Sequence, residues 1–157
     1  MNLSSLLEAR HVVGICGGAV GGSEAAALVA KTGSIAVVFE QNMRPYGKIE
    51  DGLPRWHSKL RDKEYAKIDE NLSTPGVVFV PGTQLGKDLS FSTLSSGIGL
   101  SALILAHGAW RDRSLPIKGV DRFVKNGLSY QNPFVYWFNH YEESGFAGED
   151  FPIHDDA

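Results

Sequence analysis

A glycine cluster and one glutamate carry the clearest chemistry in this chain. Gly17-Gly18-Ala19-Val20-Gly21-Gly22 follows an apolar run of strand length, Val12-Val13-Gly14-Ile15-Cys16. It leads into Ser23-Glu24-Ala25-Ala26-Ala27-Leu28-Val29-Ala30-Lys31, which is rich in good helix formers. A dinucleotide turn needs one residue that allows the sharp turn. A second lets the backbone approach a pyrophosphate, and a third lets the helix pack near the strand. Gly17-x-Ala19-x-x-Gly22 supplies this GxAxxG pattern, with alanine at the second position. A helix starting near Gly22 points its free amides and positive dipole end at a phosphate. Glu40 closes the next apolar run, Ile35-Ala36-Val37-Val38-Phe39, 23 residues after Gly17. A carboxylate there accepts a ribose 2′-hydroxyl and disfavours a 2′-phosphate, hence NADP at this site. No Gly-Lys-Ser or Gly-Lys-Thr follows, which excludes a Walker-type loop. The turn by itself does not choose between NAD and FAD. A tight α/β turn that binds nothing is the competing reading, and the Ala19 methyl, which would crowd a pyrophosphate, is its best support.

Other reactive side chains are sparse. The five histidines, His11, His57, His107, His140 and His154, include no pair at i,i+4 spacing, and Cys16 is the single cysteine. A zinc site, a disulfide framework and a Cys-x-x-Cys redox pair are therefore not expected. His107 follows a predicted strand, at the edge where α/β sheets bind ligands. It reads equally as a donor to flavin or phosphate and as a loop histidine with a backbone partner. His57 reads as exposed on a helix. Cys16 reads as a small buried apolar residue beneath the turn. Ser23 is either a pyrophosphate ligand or, more simply, a helix cap. No Tyr-x-x-x-Lys pair is present, which weakens a short-chain dehydrogenase reading. No catalytic residue and no metal ligand is assigned.

The elements that must position these residues follow from the hydrophobic pattern. The stretch from Val12 to Phe39 is a strand–turn–helix–strand unit of βαβ length, with Thr32-Gly33 ending the helix. Residues 42–54 hold four glycine or proline breaks and read as an extended loop. A helix is expected over 55–72, with Trp56, Leu60, Ile68 and Leu72 drifting round one face. Val77-Val78-Phe79-Val80 is a short strand, 85–91 a connection toward a small helix, and 100–106 another strand. Residues 115–127 are loop-rich. Asn132-Pro133 reads as a cap followed by proline at the first helical position. Phe134, Trp137, Phe138 and Tyr141 then recur at helical spacing. The stretch from Tyr130 to Tyr141 reads as core, as a lid, or as an interaction surface, with packing favoured for Phe134 and Trp137. Strands alternating with helices predict an α/β, Rossmann-like, doubly wound parallel sheet. The 157 residues fit a lead-in over 1–10 and a single domain over 11–157.

Composition bounds the partners. Fifteen basic against eighteen acidic residues, a net charge of −3, argues against a nucleic-acid binder. No run approaches the ~20 apolar residues of a membrane span, and the first ten residues lack a signal-peptide pattern. A cytoplasmic protein is the expectation.

Four stretches resemble the FAD-binding N-terminal part of pyridine-nucleotide-dependent flavoproteins, in the branch of adrenodoxin-type ferredoxin–NADP reductases and the small subunit of glutamate synthase. The first is the βαβ unit. The second is Phe39-Glu40-Gln41-Asn42-Met43-Arg44-Pro45-Tyr46-Gly47-Lys48 with Asp51-Gly52-Leu53-Pro54, similar to the family's segment along the flavin. The third is Leu85-Gly86-Lys87-Asp88-Leu89-Ser90-Phe91, like the family's strand end beside the adenine. The fourth is Ala106-His107-Gly108-Ala109 with Arg111-Asp112-Arg113, Leu115-Pro116-Ile117 and Gly119, like the stretch that closes over the cofactor. His107 stands where the family usually has threonine.

The resemblance implies an FAD site formed by Gly17, Gly18, Ala19, Val20, Gly21, Gly22, Glu40, Gln41, Gly47, Lys48, Leu85, Ala106, His107 and Gly108. Lys48, Glu50 and Asp51 fall on the loop expected near the isoalloxazine, where a lysine can stabilise a reduced flavin. For Glu50 and Asp51 a solvated loop is the simpler reading. The resemblance implies NAD(P)H-dependent, FAD-mediated electron transfer in a complete enzyme. The family's NAD(P)H domain and C-terminal flavin segment have no counterpart in these residues, so a second chain or a homo-oligomer is the expected source of the rest. Two other readings stay open: a non-catalytic nucleotide-binding or assembly module that keeps the fold, and a small NAD-dependent oxidoreductase.

Overall fold

The computed structural model describes residues 11–148 and residue 151. The 1–10 lead-in and His154 lie outside the described residues. Four strands form one parallel sheet: β1 (Val12–Cys16), β2 (Ile35–Phe39), β3 (Val77–Val80) and β4 (Ala102–Leu105). Their order is β3-β2-β1-β4. Val12 lies opposite Ile35, Val13 opposite Ala102, and Ala36 opposite Val77. The chain steps outward from β1 to β2 to β3, then crosses back to place β4 on the other side of β1. That reversal is the switch point at which open α/β sheets leave a crevice beyond their carboxyl ends.

Strand alternation sorts the side chains onto two faces. Val13, Ile15, Ala36, Val38, Val77, Phe79 and Ile104 share the face that packs with α1 (Val20–Lys31). Ile15 and Val38 are fully buried there, each worth roughly 1.5–3 kcal/mol relative to exposure. The buried stripe of α1 is built from small residues, Gly22, Ser23, Ala26, Ala27 and Ala30, so the helix lies close to the sheet. Thr32 and Gly33 return their amides to Val29 and Ala30 carbonyls, and Gly33 has φ +82°, which ends the helix as expected. On the opposite face Leu100 reaches to within 2.5 Å of where a Gly14 β-carbon would stand.

Three further helices follow: α2 (Lys48–Asp51), α3 (Ser58–Leu72) and α4 (Gln131–His140). Several expectations are corrected here. The helix α1 starts at Val20, not near Gly22. The 42–54 loop contains α2. The helix expected over 55–72 begins as a 3-10 turn over Arg55–His57. Of its apolar series, Ile68 is buried while Trp56 and Leu60 are exposed, because an exact four-residue step drifts off a face of 3.6-residue period. The small helix after residue 91 is a π turn over Thr93–Gly97.

The N-cap of α4 is Tyr130, two residues before the expected cap Asn132. Pro133 therefore sits in its first turn, where a missing N–H costs no helical bond. Its packed positions are Val135 and Asn139, whereas Phe134 is exposed and meets the rings of Trp137 and Phe151. Among the described residues no helix is long and apolar enough to cross a membrane.

Candidate functional site

The carboxyl ends of β1, β2 and β4 open into a cavity of about 480 Å³. Its floor is the glycine turn. Gly17 has φ +101°, and a β-carbon there would stand 2.5 Å from the Ala106 carbonyl oxygen just past β4. Gly22 is tighter still: a β-carbon would run into the carbonyl of Gly17. These two glycines let α1 begin directly against the β1 and β4 strand ends. The amides of Val20, Gly21 and Gly22 have no partner within the helix, and no side chain caps them. The result is a cradle of backbone donors at a positive helix end, suited to an anion.

Ser23 does not serve as cap or ligand. It is fully buried one turn in, with its hydroxyl donating to the Val20 carbonyl at 3.3 Å. Gly18 does not line the cavity. A β-carbon there would meet Phe79 and Pro45 at 3.2 Å, so the residue is confined by packing.

Glu40, 4% exposed, stands at the end of β2. Its Oε2 accepts the Gly18 amide at 2.8 Å and its Oε1 accepts the Asn42 amide at 3.0 Å. An ionised carboxylate has about four acceptor sites, so these two bonds orient the group and leave capacity for a ligand. The Ala19 methyl, the expected obstacle to a pyrophosphate, lies toward Gly47: a β-carbon on Gly47, which has φ +47°, would stand 3.1 Å from it.

Twelve of the expected site residues line this one cavity: Gly17, Ala19, Val20, Gly21, Glu40, Gln41, Gly47, Lys48, Leu85, Ala106, His107 and Gly108. Gly18 and Gly22 act from behind it. His107 Nδ1 donates to the Gly108 carbonyl at 3.0 Å. A carbonyl only accepts, so Nδ1 carries the proton in this bond. The Lys48 ammonium donates to Asn132 Oδ1 at 2.7 Å and lies 4.9 Å over the Trp110 ring. It stands between the main cavity and a second hollow of about 410 Å³ bordered by Trp110, Asn132 and Tyr136.

Sequence reasoning passed over several lining residues. Leu89 and the fully buried Leu94 form an apolar wall with Leu85. Trp110 is fixed by its indole N–H on the His107 carbonyl at 2.7 Å. The only sequence signal for Trp110 was its place in the closing stretch, and Leu94 offered none. Cys16 lines the floor, and burial pushes its thiol above the ordinary value. Tyr46, at the rim, donates to Asp69 at 3.2 Å and packs its ring at a tilt against Tyr65. Burial first, then the Asp69 charge, raises its phenol above the ordinary value.

No protein-family model matches the sequence. The chain is 32% identical, over 78% of its own length and 29% of the other's, to a Cereibacter sphaeroides protein assigned as a glutamate synthase (NADPH) small chain. It is 28% identical to the glutamate synthase (NADPH) small chain of Mycobacterium tuberculosis, over 85% of this chain and 26% of that one. It is 32% identical to the Saccharomyces cerevisiae glutamate synthase (NADH), over 73% of this chain and 5% of that one. The chain thus spans less than a third of the curated relatives it matches. Among solved structures, FprA of Mycobacterium tuberculosis in complex with NADPH has the same fold, at TM-score 0.66 and 23% identity, over 82% of this chain and 29% of that one. These likenesses fall in the oxidoreductase branch that the four motifs resemble.

Proposed function

We propose that this relative of glutamate synthase small chains is the FAD-binding part of an NAD(P)H-dependent flavoprotein oxidoreductase. The observation that carries the reading is the meeting, in one cavity, of the uncapped start of α1 and the oriented carboxylate of Glu40. A dinucleotide needs both, an anion cradle and a ribose acceptor.

The amides of Val20 and Gly21 would hold the pyrophosphate. Glu40 would accept the ribose hydroxyls with its remaining lone pairs. The wall of Leu85, Leu89 and Leu94 would take the adenine. Gly47, Lys48 and Trp110 lie on the side left for the flavin, with His107 and Gly108 on the returning strand end. FAD supplies the redox chemistry of the complete enzyme, taking hydride equivalents from NAD(P)H and passing electrons onward. This chain's residues bind and orient it. The domain over 11–157 works with an NAD(P)H domain and a further flavin segment, contributed by the rest of a longer polypeptide, a partner chain or an oligomer. The setting is cytoplasmic.

The test is an absorbance spectrum from 300 to 550 nm of the purified chain, before and after adding FAD, followed by acid release of the pigment. Flavin bands that travel with the protein through gel filtration are expected. A colourless chain that takes up neither FAD nor ADP at millimolar concentration would overturn the reading and favour an assembly module that has kept the fold.

A further inference from the structure

The geometry points to Asn139 as a positioning residue for the flavin side of the cavity, an inference that rests on the FAD reading above. Asn139 is 7% exposed on α4, and a buried amide must find partners for both its donors and its acceptor. It finds three, all in the backbone of residues 50–55. Its Oδ1 accepts the Arg55 amide at 2.9 Å, and its Nδ2 donates to the carbonyls of Glu50 at 2.8 Å and Leu53 at 3.0 Å. Arg61 also donates to the Glu50 carbonyl, at 3.2 Å. Asn139 is thus the side-chain partner of the Leu53 carbonyl and the Arg55 amide. Asn132, seven residues earlier and so on the same helix face, accepts the Lys48 ammonium at 2.7 Å. One face of α4 therefore grips the 48–55 segment at both ends.

That segment begins where the cavity wall does. Gly47 packs against Ala19 at the start of α1, and Lys48 reaches the boundary between the two hollows. Letting residues 50–55 drift moves Gly47 and Lys48 while leaving the α1 amides and Glu40 in place. Only an amide meets the requirement. A carboxylate of the same size would face two carbonyls it cannot donate to, and a leucine would take this partner from the Leu53 carbonyl and the Arg55 amide and leave the Glu50 carbonyl to Arg61 alone.

The test compares the unmodified full chain with Asn139→Asp and Asn139→Leu. It measures Kd for ADP and for FAD, the fluorescence quenching of bound flavin, and amide hydrogen exchange over 47–55. The expected result is an ADP Kd within twofold of the unmodified chain, an FAD Kd raised about tenfold or more, and weaker flavin quenching. Equal weakening of ADP and FAD would reduce Asn139 to a general structural residue, and unchanged FAD binding would remove its role; either overturns the inference. Should the variants fail to fold, the unmodified chain decides. Its Arg55 amide should exchange at least a hundredfold slower than an unstructured amide, and exchange at the unstructured rate overturns the clamp. An unmodified chain that binds neither ADP nor FAD overturns the cofactor reading itself, while an Asn139 failure leaves ADP and FAD binding by that chain intact.

Discussion

The amide of Gly18 donates to Glu40 Oε2 across 2.8 Å in the protein interior. One hydrogen bond therefore ties the turn after β1 to the end of β2. The carboxylate that would meet a ribose is the same one that fixes the turn beneath the pyrophosphate. Glu40→Gln keeps the size but replaces one of two acceptor oxygens with a donor, which faces either the Gly18 or the Asn42 amide. Losing a hydrogen bond to a buried charged group costs about 1.5–3 kcal/mol. Urea unfolding should show a loss in that range, and titration should show weaker ADP binding. A stability loss with unchanged ADP affinity would leave Glu40 a brace and nothing more.

Adjacent glycines should respond with opposite signs. A β-carbon on Gly22 meets the Gly17 carbonyl, backbone against backbone, with no flexible side chain to yield. Gly22→Ala is therefore destabilising by about 1–3 kcal/mol or more. At Gly21 nothing stands within 4 Å of the added carbon, so Gly21→Ala should gain about 0.5–1 kcal/mol from helix propensity. Thermal unfolding of the two variants side by side checks the contrast, and a common sign would refute this account of the turn.

Ala19 and Gly47 should be coupled. Gly47→Ala adds a carbon 3.1 Å from the Ala19 methyl at a residue with φ +47°. Removing the methyl by Ala19→Gly relieves the contact but not the backbone strain. The double variant should therefore recover only part of the loss. A double-mutant cycle on unfolding free energy reads this directly, with a coupling energy of about 0.5 kcal/mol or more expected for residues in contact.

Stability should decline on the alkaline side. Burial raises the Cys16 thiol above its ordinary 9.0, and burial with the Asp69 charge raises the Tyr46 phenol above its ordinary 10.0. Acids whose folded pKa is raised contribute stability that is complete below the unfolded value and is lost as pH rises through the folded one. Urea midpoints should therefore be flat from pH 7 to about 9 and fall beyond it. Tyr46→Phe, which keeps the ring packed against Tyr65, should shrink the fall above pH 10. An equal fall in that variant would assign the alkaline limb to other groups.

The sequence by itself determined the βαβ frame. The runs Val12–Cys16, Ile35–Phe39 and Val77–Val80 are strands because each is a short apolar stretch bounded by glycine, proline or a polar turn; the first two are largely buried and the edge strand Val77–Val80 is half-buried. The turn was legible because Gly17 and Gly22 are required by contacts within a few residues and by the strand end just beside them. Even so, the start of α1 and the place of Pro133 in α4 each differ by two residues from the expectation, because the first turn of a helix needs no internal amide partner.

Tertiary structure decided the rest. Lys48 is anchored by Asn132 and Arg55 by Asn139, each 84 residues away. The Ala19 methyl meets Gly47, which only the course of the chain after β2 brings back against it. Whether α4 carries a lid, a core face or a clamp depends on the route by which the chain returns after β4. Local periodicity fixes which side of a helix is apolar, but a buried asparagine gains its meaning only from the backbone groups that distant segments bring to it.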